Sequence, residues 1–212
     1  MKSENILNVT ELLILQELMN IAFGSASADL EEVLDISIDL KVPAAEMVPV
    51  TKLKKYIQES MALTNKSSMV EEKFWGDFNG SAILVFPVEI QKNIISLLSA
   101  HDYPATDMEH IEGMDSGVLL EIGNILIGAC IGKISELLNT VVTYSPPSIG
   151  SGSSSDLDFF IDKFEQPSSA IILKMEFSFH QKHLNGKIMI ITSYNSINWL
   201  KKSLKLFMES YE

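Results

Sequence analysis

The sequence is poor in cysteine, in basic residues and in long apolar runs. Its one cysteine, Cys130, has no partner for an internal disulfide, which suits a reducing compartment. Lys and Arg number 16 against 28 Asp and Glu, a net charge of −12. That balance argues against nucleic acid and anionic membrane surfaces, both of which select a basic face. No basic stretch followed by an apolar one opens the chain, so no signal peptide is expected. The apolar runs read as too short to span a bilayer. These absences point to a cytoplasmic protein without nucleic-acid or membrane partners. What is there suffices for a core: 212 residues, 46% of them hydrophobic, can bury roughly 70% of their unfolded surface without a metal or disulfide staple.

The chain carries one pattern twice. Glu17-Leu-Met-Asn20 returns as Glu121-Ile-Gly-Asn124, 104 residues later. The same offset relates Leu15, Ile21, Gly24, Glu32, Leu34 and Pro43 to Leu119, Ile125, Gly128, Glu136, Leu138 and Pro147. A fixed-offset repeat means one supersecondary unit built twice.

Helical spacing of apolar residues predicts a helix from Glu11 to Leu34, with Asn8 or Thr10 as its cap. Alternation over 35–42 predicts a strand that Pro43 ends or kinks; 47–50 is a short apolar piece and 53–62 is ambiguous. Strands are expected at 70–77 and 81–86, with Asn79-Gly80 supplying the positive φ of a tight turn. An amphipathic helix is expected at 88–98. The second copy reads as helix 114–138, strand 140–144 stopped by Pro146-Pro147, a mobile Gly/Ser loop at 149–155 and a short helix at 157–164. Strands 170–179 and 187–192 then flank Asn185-Gly186, and a helix at 197–208 closes the chain. The implied fold is α+β: one pseudo-twofold domain over 1–212, made of repeats at about 10–100 and 114–210. Both halves share an antiparallel sheet, with two long helices packed on it.

Residues three and four apart share a helix face. Glu17, Asn20, Gly24 and Ala28 form one stripe, and Glu121, Asn124, Gly128 and Gly132 its counterpart. Glycine inside a helix costs about 0.5–1 kcal/mol relative to alanine. Its recurrence implies a close approach to the backbone there, by another helix of the chain or by a partner's loop. A duplicated apolar pattern does not by itself require the same Glu and Asn twice.

With these residues the chain resembles the CheC/CheX/FliY phosphatases of chemotaxis, and CheC most. The family pattern is Asp or Ser, three residues, Glu, two residues, Asn, then about 22 residues to Pro. Glu17, Asn20 and Pro43 match it, as do Glu121, Asn124 and Pro147. Leu13 and Gly117 stand where the family has Asp or Ser, and Met19 where it usually has Gly. The resemblance implies a CheC-like fold and an enzyme that hydrolyses the aspartyl phosphate of a CheY-type receiver. No cofactor is expected in this chain; Mg²⁺ belongs to the receiver. Acyl-phosphate hydrolysis needs an in-line water and shielded phosphoryl oxygens. A carboxamide can orient that water without titrating, the role implied for Asn20 and Asn124. Glu17 and Glu121 would pair with the receiver lysine and fix the docking register, while Gly24 and Gly128 would let the receiver approach. CheD is implied as a second partner. The alternative is a non-catalytic CheC-like adaptor that binds CheD, or a flagellar-switch or receiver partner; a third reading is a structural protein related to the flagellar switch proteins FliM and FliY.

Other candidates read as structural. His180 and His183 lack companion ligands, and Cys130 sits among apolar residues as a buried thiol. Ser151–Ser155 lies in no strand-to-helix phosphate loop. Asp156, Asp158 and Asp162 lack calcium-loop spacing. Trp75 and Trp199 are expected in the partial core.

Overall fold

The first long helix begins with two reciprocal hydrogen bonds. The Glu11 N–H donates to Asn8 Oδ1 at 2.9 Å, and the Asn8 N–H donates to Glu11 Oε2 at 2.7 Å. This capping box satisfies two donors that a helix start leaves open. A computed structural model of the chain describes residues 7–34, 37–63, 67–86, 112–153, 157, 169–179, 184–192 and 196–209. The helix expected at 88–98 lies outside the described residues. So do the helix at 157–164 apart from Leu157, the two histidines His180 and His183, and the three aspartates Asp156, Asp158 and Asp162.

The helices are α1 (Val9–Leu34), α2 (Val50–Met61), α3 (Glu112–Leu137) and α4 (Ile197–Glu209). The strands are β1 (Ile38–Pro49), β2 (Ser68–Gly76), β3 (Gly80–Phe86), β4 (Val142–Tyr144), β5 (Ser148–Ser151), β6 (Ser169–Phe179) and β7 (Leu184–Thr192). All seven join one antiparallel sheet in the order β1-β6-β7-β3-β2-β4, with β5 also on β2. The α+β architecture with two long helices on an antiparallel sheet is therefore the one expected. Exchanging β1 with β4 and β5, β2 with β6, and β3 with β7 returns the same order read from the opposite edge.

The sheet separates two apolar layers. On one face, Ile38, Leu40, Val42, Val70, Phe74, Leu84, Leu173, Phe177 and Ile190 pack with the buried sides of α1, α3 and α4. On the other face, Met69, Ile83, Val85, Ile172 and Met189 pack with Leu53, Ile57 and Met61 of α2. Among the described side chains, the buried positions of α1 are Leu15, Leu18, Met19, Ala22, Phe23 and Ala26. Each has a buried counterpart 104 residues on: Leu119, Ile122, Gly123, Leu126, Ile127 and Cys130.

Several expectations need correction. Of the two outcomes expected for Pro43, it kinks β1 and does not end it. Lys41 pairs with Glu176 and Ala44 with Lys174, so Val42 and Pro43 together oppose Met175 in a bulge, and the strand runs on to Pro49. The bulge also reverses the alternation: Leu40 and Val42 face α1, whereas Val48 faces α2. The 149–155 stretch is not simply a mobile loop, since Ser148–Ser151 pairs with Ser68–Glu71 as β5. Asn79 and Gly80 have no positive φ. Gly80 is needed for close approach instead, because a Cβ there would strike the Ile191 carbonyl and come 2.7 Å from the Phe74 ring. Asn185 and Gly186 are not a turn; they lie inside β7, opposite Ser178 and Phe177. The ambiguous 53–62 stretch is α2. Trp199 is half-buried against the core, with its ring 6.0 Å from that of Phe78, but Trp75 is exposed. Finally, Ser116–Leu137 is long and apolar enough to cross a membrane by length and composition. It packs its Leu126, Ile127, Ile131 and Ile134 against the sheet.

Candidate functional site

The face of α1 opposite its buried stripe carries Glu17, Asn20 and Gly24, all exposed. The equivalent face of α3 carries Glu121 and Asn124, both exposed, and the half-exposed Gly128. The same periodicity that buries Leu15, Leu18 and Ala22 turns the residues between them outward. Each Glu and Asn thus stands on a helix whose other side is locked into the core.

The two helices touch. Lys133 Nζ of α3 lies 2.9 Å from Asp29 Oδ2 of α1 and 3.1 Å from Glu136 Oε2. Asp29 and Lys133 are themselves 104 residues apart, so equivalent points of the two helices meet. Asp29 first, and Glu136 second, raise the Lys133 ammonium above its usual range. Glu17 lies twelve residues before this contact and Glu121 twelve before its counterpart. That is about 18 Å along each helix at 1.5 Å per residue.

The stripe glycines meet open space. A Cβ added at Gly24, Gly128 or Gly132 finds nothing within 4 Å among the described residues. Of the two approaches that the sequence leaves open, contact with another helix of this chain is therefore ruled out at these three positions among the described residues. Gly123, just before Asn124, is different: a Cβ there would lie 2.6 Å from Val70 Cγ1. Its counterpart, Met19, is wholly buried. The Met-for-Gly departure therefore lies on the core side of α1, away from Glu17 and Asn20. Leu13, at the family's Asp or Ser position, is 60% exposed beside Glu17, and Gly117 is exposed likewise.

The two carboxamides differ in their surroundings. The Val42 N–H donates to Asn20 Oδ1 at 3.1 Å. Gln16 Nε2, one turn earlier, donates to the Val42 carbonyl at 3.1 Å. Sequence reading did not pick out Gln16, although its place one turn before Asn20 was a signal for it. The Asn124 carboxamide has no hydrogen-bond partner among the described residues. No group of three or more His, Cys, Asp or Glu that could hold a metal occurs among the described residues. Cys130 is fully buried, and burial drives its thiol far above the usual range, which leaves it protonated and unreactive.

The fold is one shared with proteins of bacterial chemotaxis and the flagellar switch. Thermotoga maritima FliY superposes with a TM-score of 0.70 at 17% identity, over 95% of this chain and 99% of that one. The CheX–CheY–BeF3–Mg²⁺ complex from Borrelia burgdorferi matches with a TM-score of 0.50 at 19% identity, over 84% of this chain and 96% of that one. In sequence, the pattern of the CheC-like family matches residues 14–47, the stretch with Glu17, Asn20 and Pro43. The CheY-P phosphatase CheC of Bacillus subtilis (strain 168) is 23% identical over 198 residues, spanning 88% of this chain and 90% of the relative. Together these findings support a CheC-like family member, as the sequence resemblance implies.

Proposed function

We propose that this chain is a chemotaxis phosphatase that accelerates hydrolysis of the aspartyl phosphate of a CheY-type receiver. One observation carries the reading. Two Glu/Asn pairs stand exposed on the outer faces of two core-anchored helices, with open space over the neighbouring glycines among the described residues. The relative that is a CheY-P phosphatase and the fold neighbour solved with CheY support the same substrate.

The receiver supplies the phosphoryl group, the Mg²⁺ and a lysine. Asn20 and Asn124 each place a water in line with the phosphorus, and Glu17 and Glu121 meet the receiver's lysine. A carboxamide suits the water because it hydrogen-bonds in both senses and keeps its state across pH. Rigid helices hold the backbone positions of the four residues fixed before the receiver arrives. Gly24 and Gly128 leave room for the receiver's backbone. The protein works in the cytoplasm, where its substrate resides, and CheD is a further partner.

The test is phosphate release from a CheY-type receiver with Mg²⁺ and acetyl phosphate. The Asn20→Ala/Asn124→Ala double variant should lose about 10²–10³ of the acceleration while its circular dichroism stays that of the parent. Full activity in that variant refutes the reading. Receiver binding by the parent without acceleration favours an adaptor.

A further inference from the structure

The two Asn residues occupy equivalent positions, but only one is held by the main chain. In the bulge of β1, Val42 is displaced from the regular ladder with β6. Two side chains of α1 take up its polar groups. Asn20 Oδ1 accepts the Val42 N–H, and Gln16 Nε2 donates to the Val42 carbonyl, both at 3.1 Å. The Val42 side chain, meanwhile, is buried in the core at 2% exposure. The bond to Val42 fixes the sense of the Asn20 carboxamide: Oδ1 faces the strand, so Nδ2 is left for the solvent side.

The second copy cannot build this clamp. At the offset of 104, Gln16 becomes Leu120 and Val42 becomes Pro146. Leucine has no donor for a carbonyl, and proline has no N–H to offer a carboxamide. Both halves of the clamp are lost together. Tyr144 pairs with Phe74 and Ser148 with Glu71, so three residues oppose two at the equivalent break. The one-residue excess is kept, but the hydrogen-bonding groups are not.

We infer that Gln16, through the Val42 peptide groups, is a positioning residue for the first site: it locks Asn20 as an outward-facing N–H donor, whereas Asn124 is free to reorient. The inference rests on the phosphatase reading. At the first site the water meets a donor already oriented. At the second, the carboxamide is ordered only when the receiver docks, so removal of Gln16 costs turnover at the first site alone.

The experiment isolates each site. Asn124→Ala leaves only the first, and Asn20→Ala only the second. Gln16→Leu, which copies Leu120, and Gln16→Glu, which keeps the shape but loses the donor, are made in each background. Phosphate release is followed against receiver concentration, and hydrogen exchange is followed at the Val42 amide. In the Asn124→Ala background we expect kcat to fall about fivefold, the equivalent of one hydrogen bond of about 1 kcal/mol, with KM unchanged. Exchange at the Val42 N–H should quicken by a similar factor. In the Asn20→Ala background the loss of kcat should be absent. Equal losses in both backgrounds mean that Gln16 supports the whole fold and overturn the inference, as does a change in KM alone or no change at all. Failure of the phosphatase reading looks different: the Asn20→Ala/Asn124→Ala variant would then release phosphate as fast as the parent, whatever stands at position 16.

Discussion

Glu72 shows what one misplaced charge does inside this sheet. It lies on β2 between Val70 and Phe74, on the face covered by α3, and is 2% exposed. Its Oε2 meets no hydrogen-bond partner among the described residues. Burial pushes its carboxyl from 4.5 to about 7, and its charge, after burial, helps raise the Tyr144 phenol. The sign follows from which state releases the proton first. Unfolded, the group ionises near 4.5; folded, it keeps its proton to about 7. Stability is therefore unaffected by Glu72 well below pH 4.5, falls as pH rises from 4.5 to 7, and stays reduced above that. Glu72→Gln should remove the penalty. Denaturant titrations at pH 5 and pH 8 should show the variant's advantage over the parent growing by about 2 kcal/mol between them. An advantage that does not change with pH would contradict the burial argument. Glu17 and Glu121, by contrast, are exposed and free to meet a partner's charge.

Among the elements, α1 and α3 show how one helix pattern serves packing and chemistry at once. Gly123 and Gly128 lie five residues apart on α3 and answer to different constraints. Alanine at Gly123 would press its Cβ to 2.6 Å from Val70 Cγ1, and a β-branched valine cannot swing aside. We expect Gly123→Ala to cost about 1–3 kcal/mol by overpacking, and Val70→Ala to restore part of it in a double-mutant cycle. Alanine at Gly128 meets nothing within 4 Å among the described residues, so Gly128→Ala should gain about 0.5–1 kcal/mol of helix stability in a thermal melt. Destabilisation at Gly128 would mean that the helix packs there after all. Sequence reading found both helices, their buried stripes and the outward Glu and Asn, because helical periodicity is a local property. It missed what depends on a distant strand. Asn-Gly at 79–80 and 185–186 has turn chemistry, but β3 and β7 claim both glycines through cross-strand pairing. The sequence leaves Pro43 as either a stop or a kink because proline interrupts a ladder; the bulge and the two α1 side chains absorb that interruption and make it a kink. Gln16 drew no reading from the sequence because its partner lies 26 residues away.

For the whole molecule, the order β1-β6-β7-β3-β2-β4 interlocks the halves. The strand after α1 pairs with β6, and the strands after α3 pair with β2, so each long helix sits beside a strand added to the other half's hairpin. At the centre β3 pairs with β7, with Leu84 opposite Ile188. Both sheet edges are interrupted by proline, Pro43 in β1 and Pro146-Pro147 between β4 and β5. Missing N–H groups and bulges blunt such edges against pairing with other chains. We read this arrangement as a duplication whose copies fold only together. Among the described residues, the edge strands of each half find their ladder partners in the other half, and a two-stranded hairpin alone is marginal in water. Expressed separately, 1–106 and 107–212 should each show no cooperative thermal transition, and mixing them should restore one together with the parent's dispersed amide spectrum. A cooperative melt from either half alone would mean that its helix and hairpin suffice, and the interlocked sheet would then be a docking of two finished domains.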